Sequence, residues 1–199
     1  MIREILETKL VPVVVFKEIE DVDVILPALI KGGVNIAEIC FRNEASINGL
    51  KLAIQKYPDM VIGAGTIINK EQAELAISYG AKFIVSPGLS ESVNEVCVKH
   101  NIPYIPGVVT PTEIIKAIDL GIYYLKFFPA GVFGGLKAIK ALSSAFPAIK
   151  FMPTGGVDNS NLAEFIKEKS IYAIGGSWLV KGDITANCLD ANKIIKGEQ

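Results

Sequence analysis

The sequence predicts a single α/β domain over residues 1–199, closed as a (β/α)8 TIM barrel. Three observations predict it. Eight short runs rich in β-branched residues recur along the chain. Segments of helical periodicity separate them, and most of those segments stop at glycine. The 199 residues sit near the lower limit of about 200 for this barrel, which implies short loops and no second domain. A doubly wound open sheet is the alternative, and its glycine-rich dinucleotide fingerprint is missing.

The elements follow in order. Strands are expected over 10–16 (LVPVVVF), 35–41 (NIAEICF), 60–65 (MVIGAG), 82–86 (KFIVS), 103–107 (PYIPG), 123–128 (YYLKFF), 150–155 (KFMPTG) and 171–176 (IYAIGG). Helical stretches include 20–33, 71–81, 111–121 and 161–170. Glu20, Asp21 and Asp23 suit the positive end of the first of these. Gly32, Gly80 and Gly121 are expected to close their helices in the left-handed conformation. The opening segment, MIREILETKL, is charged and amphipathic, unlike a signal peptide.

Composition excludes several functions. Twenty Lys and Arg nearly balance 21 Asp and Glu, so net charge points to neither nucleic acid nor a membrane surface. An anionic partner must be held by a local site. No apolar run approaches the roughly 20 residues that span a bilayer. Cys40, Cys97 and Cys188 lack metal-ligand spacing and are odd in number, against a zinc site or a disulfide framework. The default is a soluble cytoplasmic protein.

In such a barrel the chemistry sits at the C-terminal ends of the strands. On the second strand Ile36, Glu38, Cys40 and Arg42 share one face, because side chains alternate. This places a carboxylate and a guanidinium inside the barrel, Arg42 nearer the top. At about 3.3 Å per residue their Cα atoms lie roughly 13 Å apart, enough to bracket a small substrate. A structural ion pair is the competing reading. Thr66 ends the third strand in GAGT, where its hydroxyl could orient a substrate oxygen and the glycines allow close backbone approach, although Gly-Thr at a strand end is more often a turn or a helix cap.

Lys126 lies within the apolar YYLKFF run. Taken alone it reads as a lysine snorkelling to the strand end. Tyr124, Lys126 and Phe128 share one face, however, and Glu38 and Arg42 also point inward. A desolvated amine then becomes the better reading. Burial disfavours the charged ammonium, and the neutral amine attacks carbonyls to form a Schiff base. The glycine pairs in PTGGV (153–157) and GGSW (175–178) follow strands whose loops often bind phosphate, with backbone N–H groups and a helix N-terminus meeting the anion. His100 at a helix end suits the surface or a cap, and Trp178 suits packing near the last loop. No His, Asp, Glu or Cys cluster suggests a metal.

GGVNIAEICFRN, GAGT, ISYGAKFIVSPG, IPYIPGVVTPTEI, YLKFFPA, PTGGV and IGGSWLV occur in order across nearly the whole chain. Together they resemble the class I 2-keto-3-deoxy-6-phosphogluconate (KDPG) and 4-hydroxy-2-oxoglutarate (KHG) aldolases. The resemblance implies Lys126 as the Schiff-base lysine and Glu38 as the general acid/base working through a water. It implies Arg42 as the grip on the pyruvate carboxylate, with Thr66 and Thr154 touching substrate and Pro87 and Phe128 lining the pocket. Gly155, Gly156, Gly176 and Ser177 match the phosphate loops. It further implies a homotrimer that needs no metal or organic cofactor and acts on a keto-acid phosphate. Two stretches depart from the pattern: GVFGG after FFPA, and CFRN where Thr-Leu-Arg is usual, which puts Cys40 in the barrel. Alternatives are an aldolase for a phosphogalactonate, a phosphosugar barrel that forms no imine, and a non-catalytic phosphosugar binder.

Overall fold

A computed structural model describes residues 8–198, so positions 1–7 of the amphipathic opening segment lie outside the described residues. Among the described residues there are nine short strands: β1 (Leu10–Val14), β2 (Ile36–Cys40), β3 (Val61–Gly65), β4 (Ile84–Val85), β5 (Tyr104–Ile105), β6 (Gly107–Val108), β7 (Tyr124–Phe127), β8 (Lys150–Pro153) and β9 (Ile174–Gly176). Between and after these strands the described residues form α1 (Asp21–Lys31), α2 (Glu44–Lys56), α3 (Lys70–Ser78), α4 (Glu91–Lys99), α5 (Pro111–Asp119), α6 (Gly135–Ala145), α7 (Leu162–Phe165) and α8 (Ile184–Lys196).

The strands form a six-stranded sheet, β5-β4-β3-β2-β1-β9, and a three-stranded one, β6-β7-β8. Every named pairing is parallel. Two links complete the ring. On one side the chain runs from β5 to β6 through Pro106, which has no N–H for the ladder but whose carbonyl accepts from the Lys126 N–H at 2.8 Å. On the other side two isolated bridges, Phe151 to Ile171 and Thr154 to Gly175, tie β8 to the β9 segment. The barrel is the predicted (β/α)8, with the expected strand 103–107 divided at its proline.

Five helix starts are sealed by side chains that the βα loops deliver. Asn43, Asn69, Ser90 and Asp183 accept from backbone N–H groups of the following turn. Thr110 and Glu113 form a full capping box on α5. Such caps are worth about 1 kcal/mol each, and they turn the chain sharply from strand top to helix.

Three expectations are corrected. Gly32 has φ −76°; its neighbour Gly33 takes the left-handed conformation at +75°. Gly32 is small for another reason: a Cβ there would run into Cys188. Gly80 and Gly121 are left-handed as expected. The helix expected over 161–170 is only the four residues of α7, because the chain must turn back by Ile171 to bridge Phe151. The last strand is likewise cut to β9, with Ile171 as an isolated bridge ahead of it.

Candidate active site

The register carries the alternation predicted for β2 around the barrel. Glu38 pairs with Val13 on β1 and Gly63 on β3, while Lys126 pairs with Gly107 and Met152. Both side chains enter the interior. Lys126 is 5% exposed and Glu38 fully buried, and the Lys126 Nζ donates to Glu38 Oε1 at 3.1 Å and to Oε2 at 3.5 Å. The pair spans 88 residues of sequence. The ammonium also lies 5.2 Å from the centre of the Phe128 ring, a cation–π contact.

Glycines make this approach possible. A Cβ on Gly65 would overlap the Glu38 carboxylate, and one on Gly63 would overlap the Phe83 ring. The close approach expected at GAGT is therefore made by the glutamate itself. Across the ring, a Cβ on Gly107 would strike the Pro87 carbonyl, so that glycine lets the Ser86–Pro87 turn close over the strand carrying Lys126's partner.

Arg42 departs from expectation. It lies two residues beyond β2 and is exposed at the rim, not inside the barrel. The strand stops at Cys40, and Asn43 already caps α2, so the chain leaves the interior before Arg42. Glu38 pairs with Lys126; the Arg42 Nε donates instead to Thr66 Oγ1 at 3.3 Å. Thr66 holds φ +58°, a left-handed conformation that costs energy in a β-branched residue and is associated with functional sites. Pro87 and Phe128 are half-buried, the Phe128 ring facing the Lys126 ammonium.

Thr154 is buried at the top of β8, its hydroxyl donating to the Met152 carbonyl at 3.4 Å. A Cβ on Gly175 would overlap that hydroxyl. Gly155 and Gly156 are exposed with φ of +85° and +86°, conformations that glycine alone adopts freely. The turn after β7 stacks on them: the Gly131 N–H donates to the Gly155 carbonyl at 2.8 Å. Gly176 packs flat against Trp178, whose Nε1 donates to Asn159 Oδ1 at 2.8 Å, and Ser177 is exposed at the mouth. The anticipated helix N-terminus is slight here, for α7 has four residues and the turn Trp178–Val180 three. The glycine turns supply the concave backbone instead.

Two interior residues escaped the sequence. Cys40 shares the inward face of β2, but nothing in the sequence marks its thiol as a partner of Glu38; the Sγ lies 3.6 Å from Oε1. Burial, reinforced by the Glu38 charge, pushes that thiol up to about 12. Tyr172 enters the interior nearer the strand starts and meets Tyr124 edge-on, ring centres 5.1 Å apart. Burial, then the charge of Glu38, raises its phenol well above the ordinary range. An aromatic in IYAIGG reads only as a strand former. His100 ends α4 on the surface. Among the described residues no group of three His, Cys, Asp or Glu is placed to hold a metal ion, and no helix is long and apolar enough to cross a membrane.

Comparison with known proteins places this geometry. The KDPG and KHG aldolase family matches residues 1–196. The 2-dehydro-3-deoxy-phosphogluconate aldolase of Treponema pallidum is 40% identical over 172 residues, 86% of this chain and 82% of that one. A crystal structure of the 2-keto-3-deoxy-6-phosphogluconate aldolase of Zymomonas mobilis with 3-phosphoglycerate superposes with a TM-score of 0.89, 33% identical and covering 96% of each chain. The KDPG aldolase of Legionella pneumophila, with pyruvate captured as a covalent carbinolamine, superposes at 0.86, 35% identical, covering 96% of this chain and 94% of that one. A barrel that buries one lysine against one glutamate beneath two glycine turns, matched along almost its whole length, belongs to the KDPG and KHG aldolase family.

Proposed function

We propose that this protein is a class I aldolase that cleaves 2-keto-3-deoxy-6-phosphogluconate to pyruvate and glyceraldehyde 3-phosphate, and also cleaves 4-hydroxy-2-oxoglutarate to pyruvate and glyoxylate. One observation carries the reading: in a chain of this family, a lysine buried in the barrel keeps its amine 3.1 Å from a fully buried carboxylate. The pyruvate captured as a covalent carbinolamine in the Legionella relative supports imine chemistry for this chain, at Lys126.

The steps follow from that pair. Glu38 takes a proton from the Lys126 ammonium, freeing the lone pair that attacks the C2 ketone. The same carboxylic acid returns the proton to the carbinolamine hydroxyl, which leaves as water, and an iminium remains. Glu38 then accepts the C4 hydroxyl proton through a water. The C3–C4 bond breaks, its electrons pass into the iminium, and the aldehyde departs. The remaining enamine is protonated at C3 and hydrolysed to pyruvate. Arg42 and Thr66 at the rim suit the substrate carboxylate, with Thr154, Pro87 and Phe128 as walls. The turns at Gly155–Gly156 and Gly176–Ser177 suit the phosphate. Acid/base assistance of this kind is worth about 10²–10⁴-fold.

The same reading carries a single domain over 1–199, a homotrimer and a cytoplasmic location, all supported by the family resemblance. Borohydride reduction with pyruvate tests the central claim. A stable adduct on Lys126 is expected, absent from Lys126→Ala. Labelling at another lysine, or none, overturns it. Pyruvate release from each substrate, coupled to lactate dehydrogenase, tests the substrate assignment.

A further inference from the structure

Cys40 stands inside the barrel between two pairs that otherwise do not meet. On one side its Sγ reaches Glu38 Oε1, the oxygen that also receives the Lys126 ammonium. On the other, Cys40 pairs in register with Gly65, next to Thr66, whose hydroxyl accepts from Arg42 Nε at 3.3 Å. We propose that Cys40 is a positioning residue for the aldol reaction: its thiol holds Glu38 Oε1 in place once Lys126 has become an imine. The inference rests on the Schiff-base reading of Lys126.

The argument concerns what happens to the partners of Glu38 during turnover. In the resting pair the ammonium spans both carboxylate oxygens, at 3.1 Å and 3.5 Å. An ammonium has three donors, and an imine nitrogen bonded to substrate has one at most. Forming the imine therefore weakens the contact that anchors Glu38, just when its carboxylate must shuttle protons to and from substrate. The thiol is untouched by that change. It is fully buried, and burial keeps it protonated near neutral pH, so it remains a donor throughout. With Oε1 held by sulfur, and with Gly65 leaving no room behind the carboxylate, Oε2 is the oxygen left to move protons.

Imine formation and proton transfer separate experimentally. The first is read as borohydride-trapped pyruvate on Lys126. The second is read as exchange of pyruvate methyl protons with D2O by NMR, which passes through the enamine and needs no aldehyde. Cys40→Ala is expected to keep the trapped adduct, yet slow methyl exchange and kcat for cleavage about tenfold, with KM changed less than about threefold. Cys40→Ser keeps a donor in a similar volume and should recover exchange to within about threefold of wild type. If alanine prevents folding, Cys40→Val against Cys40→Ser gives the same ordering. Exchange in the apolar variant within about twofold of wild type, or equal slowing in the serine and apolar variants, overturns the proposal. A wild type that traps nothing at Lys126 overturns the Schiff-base reading and this inference with it, which is a distinct result.

Discussion

Two levels of one barrel interior bury polar groups in different ways. Strand β7 contributes to both, Tyr124 to the lower and Lys126, two residues on, to the upper. In the upper level Lys126, Glu38 and Cys40 partner one another. In the lower level Tyr172 stacks edge-on against Tyr124, and its buried hydroxyl has no hydrogen-bond partner among the described residues. The difference follows from magnitude. An unpaired buried hydroxyl costs about 1–3 kcal/mol, which a domain can absorb. A lone buried charge costs far more and is retained only when paired. The upper level is ordered because it must be, and that order also brings an amine and a carboxylate together.

The sharpest way to break the comparison is at the carboxylate. Glu38→Gln keeps the shape and a hydrogen bond but removes the base; kcat should fall about 10²–10⁴-fold, and an unchanged kcat removes Glu38 from the chemistry. Next comes the wall behind it. Gly65→Ala puts a methyl where the carboxylate now lies, and a displacement near 1 Å should lower kcat on the order of 10²-fold with the fold intact by circular dichroism. The lower level should respond in stability instead. Tyr172→Phe removes the unpaired hydroxyl, and denaturant unfolding should show no loss, with a gain of up to about 1–3 kcal/mol. A loss would mean the hydroxyl has a partner after all.

The smallest effect is at the surface, where a carboxylate is satisfied without a cation. Partial burial pushes the Glu113 carboxyl up, but hydrogen bonds from the Val109 N–H and from the Thr110 hydroxyl and N–H outweigh it and hold it below its usual range. A depressed carboxyl stabilises the fold above its unfolded value of about 4.3, and that contribution is lost as pH falls through the folded value. Glu113→Gln should therefore be less stable than wild type at pH 7, with the gap closing in acid. Thr110→Ala should cost about 0.5–2 kcal/mol by urea unfolding.

The fold was legible where local chemistry dominates. β-Branched runs, capping residues and helix-ending glycines at 80 and 121 fixed most elements near their observed places. Strand alternation sets Glu38 and Lys126 each on one face of its strand, and the inward aim of Lys126 leans on Glu38 and Arg42, of which only Glu38 lies inside. What escaped depended on tertiary closure. Pro106 splits a strand because a ladder needs its missing N–H, and α7 stops short because Ile171 must reach Phe151. Arg42 follows the parity of β2, but parity ceases to apply once the strand ends at Cys40. The Cys40–Glu38 contact joins neighbours two apart on one face; a thiol there looks like any small apolar filler until the carboxylate's direction is known.

Glu38 and Lys126 stand on different sheets, one of six strands and one of three. These meet through a proline on one flank and two lone bridges on the other. Among the described residues the ladder from the strand that carries the acid to the strand that carries the amine is interrupted at Pro106. Their spacing is thus set across seams that a handful of backbone hydrogen bonds close, Lys126 N–H to the Pro106 carbonyl at 2.8 Å on one flank and Tyr172 N–H to the Phe151 carbonyl at 3.1 Å on the other. A substitution at Pro106 or Ile171, neither of which the reaction uses, can therefore retune that gap.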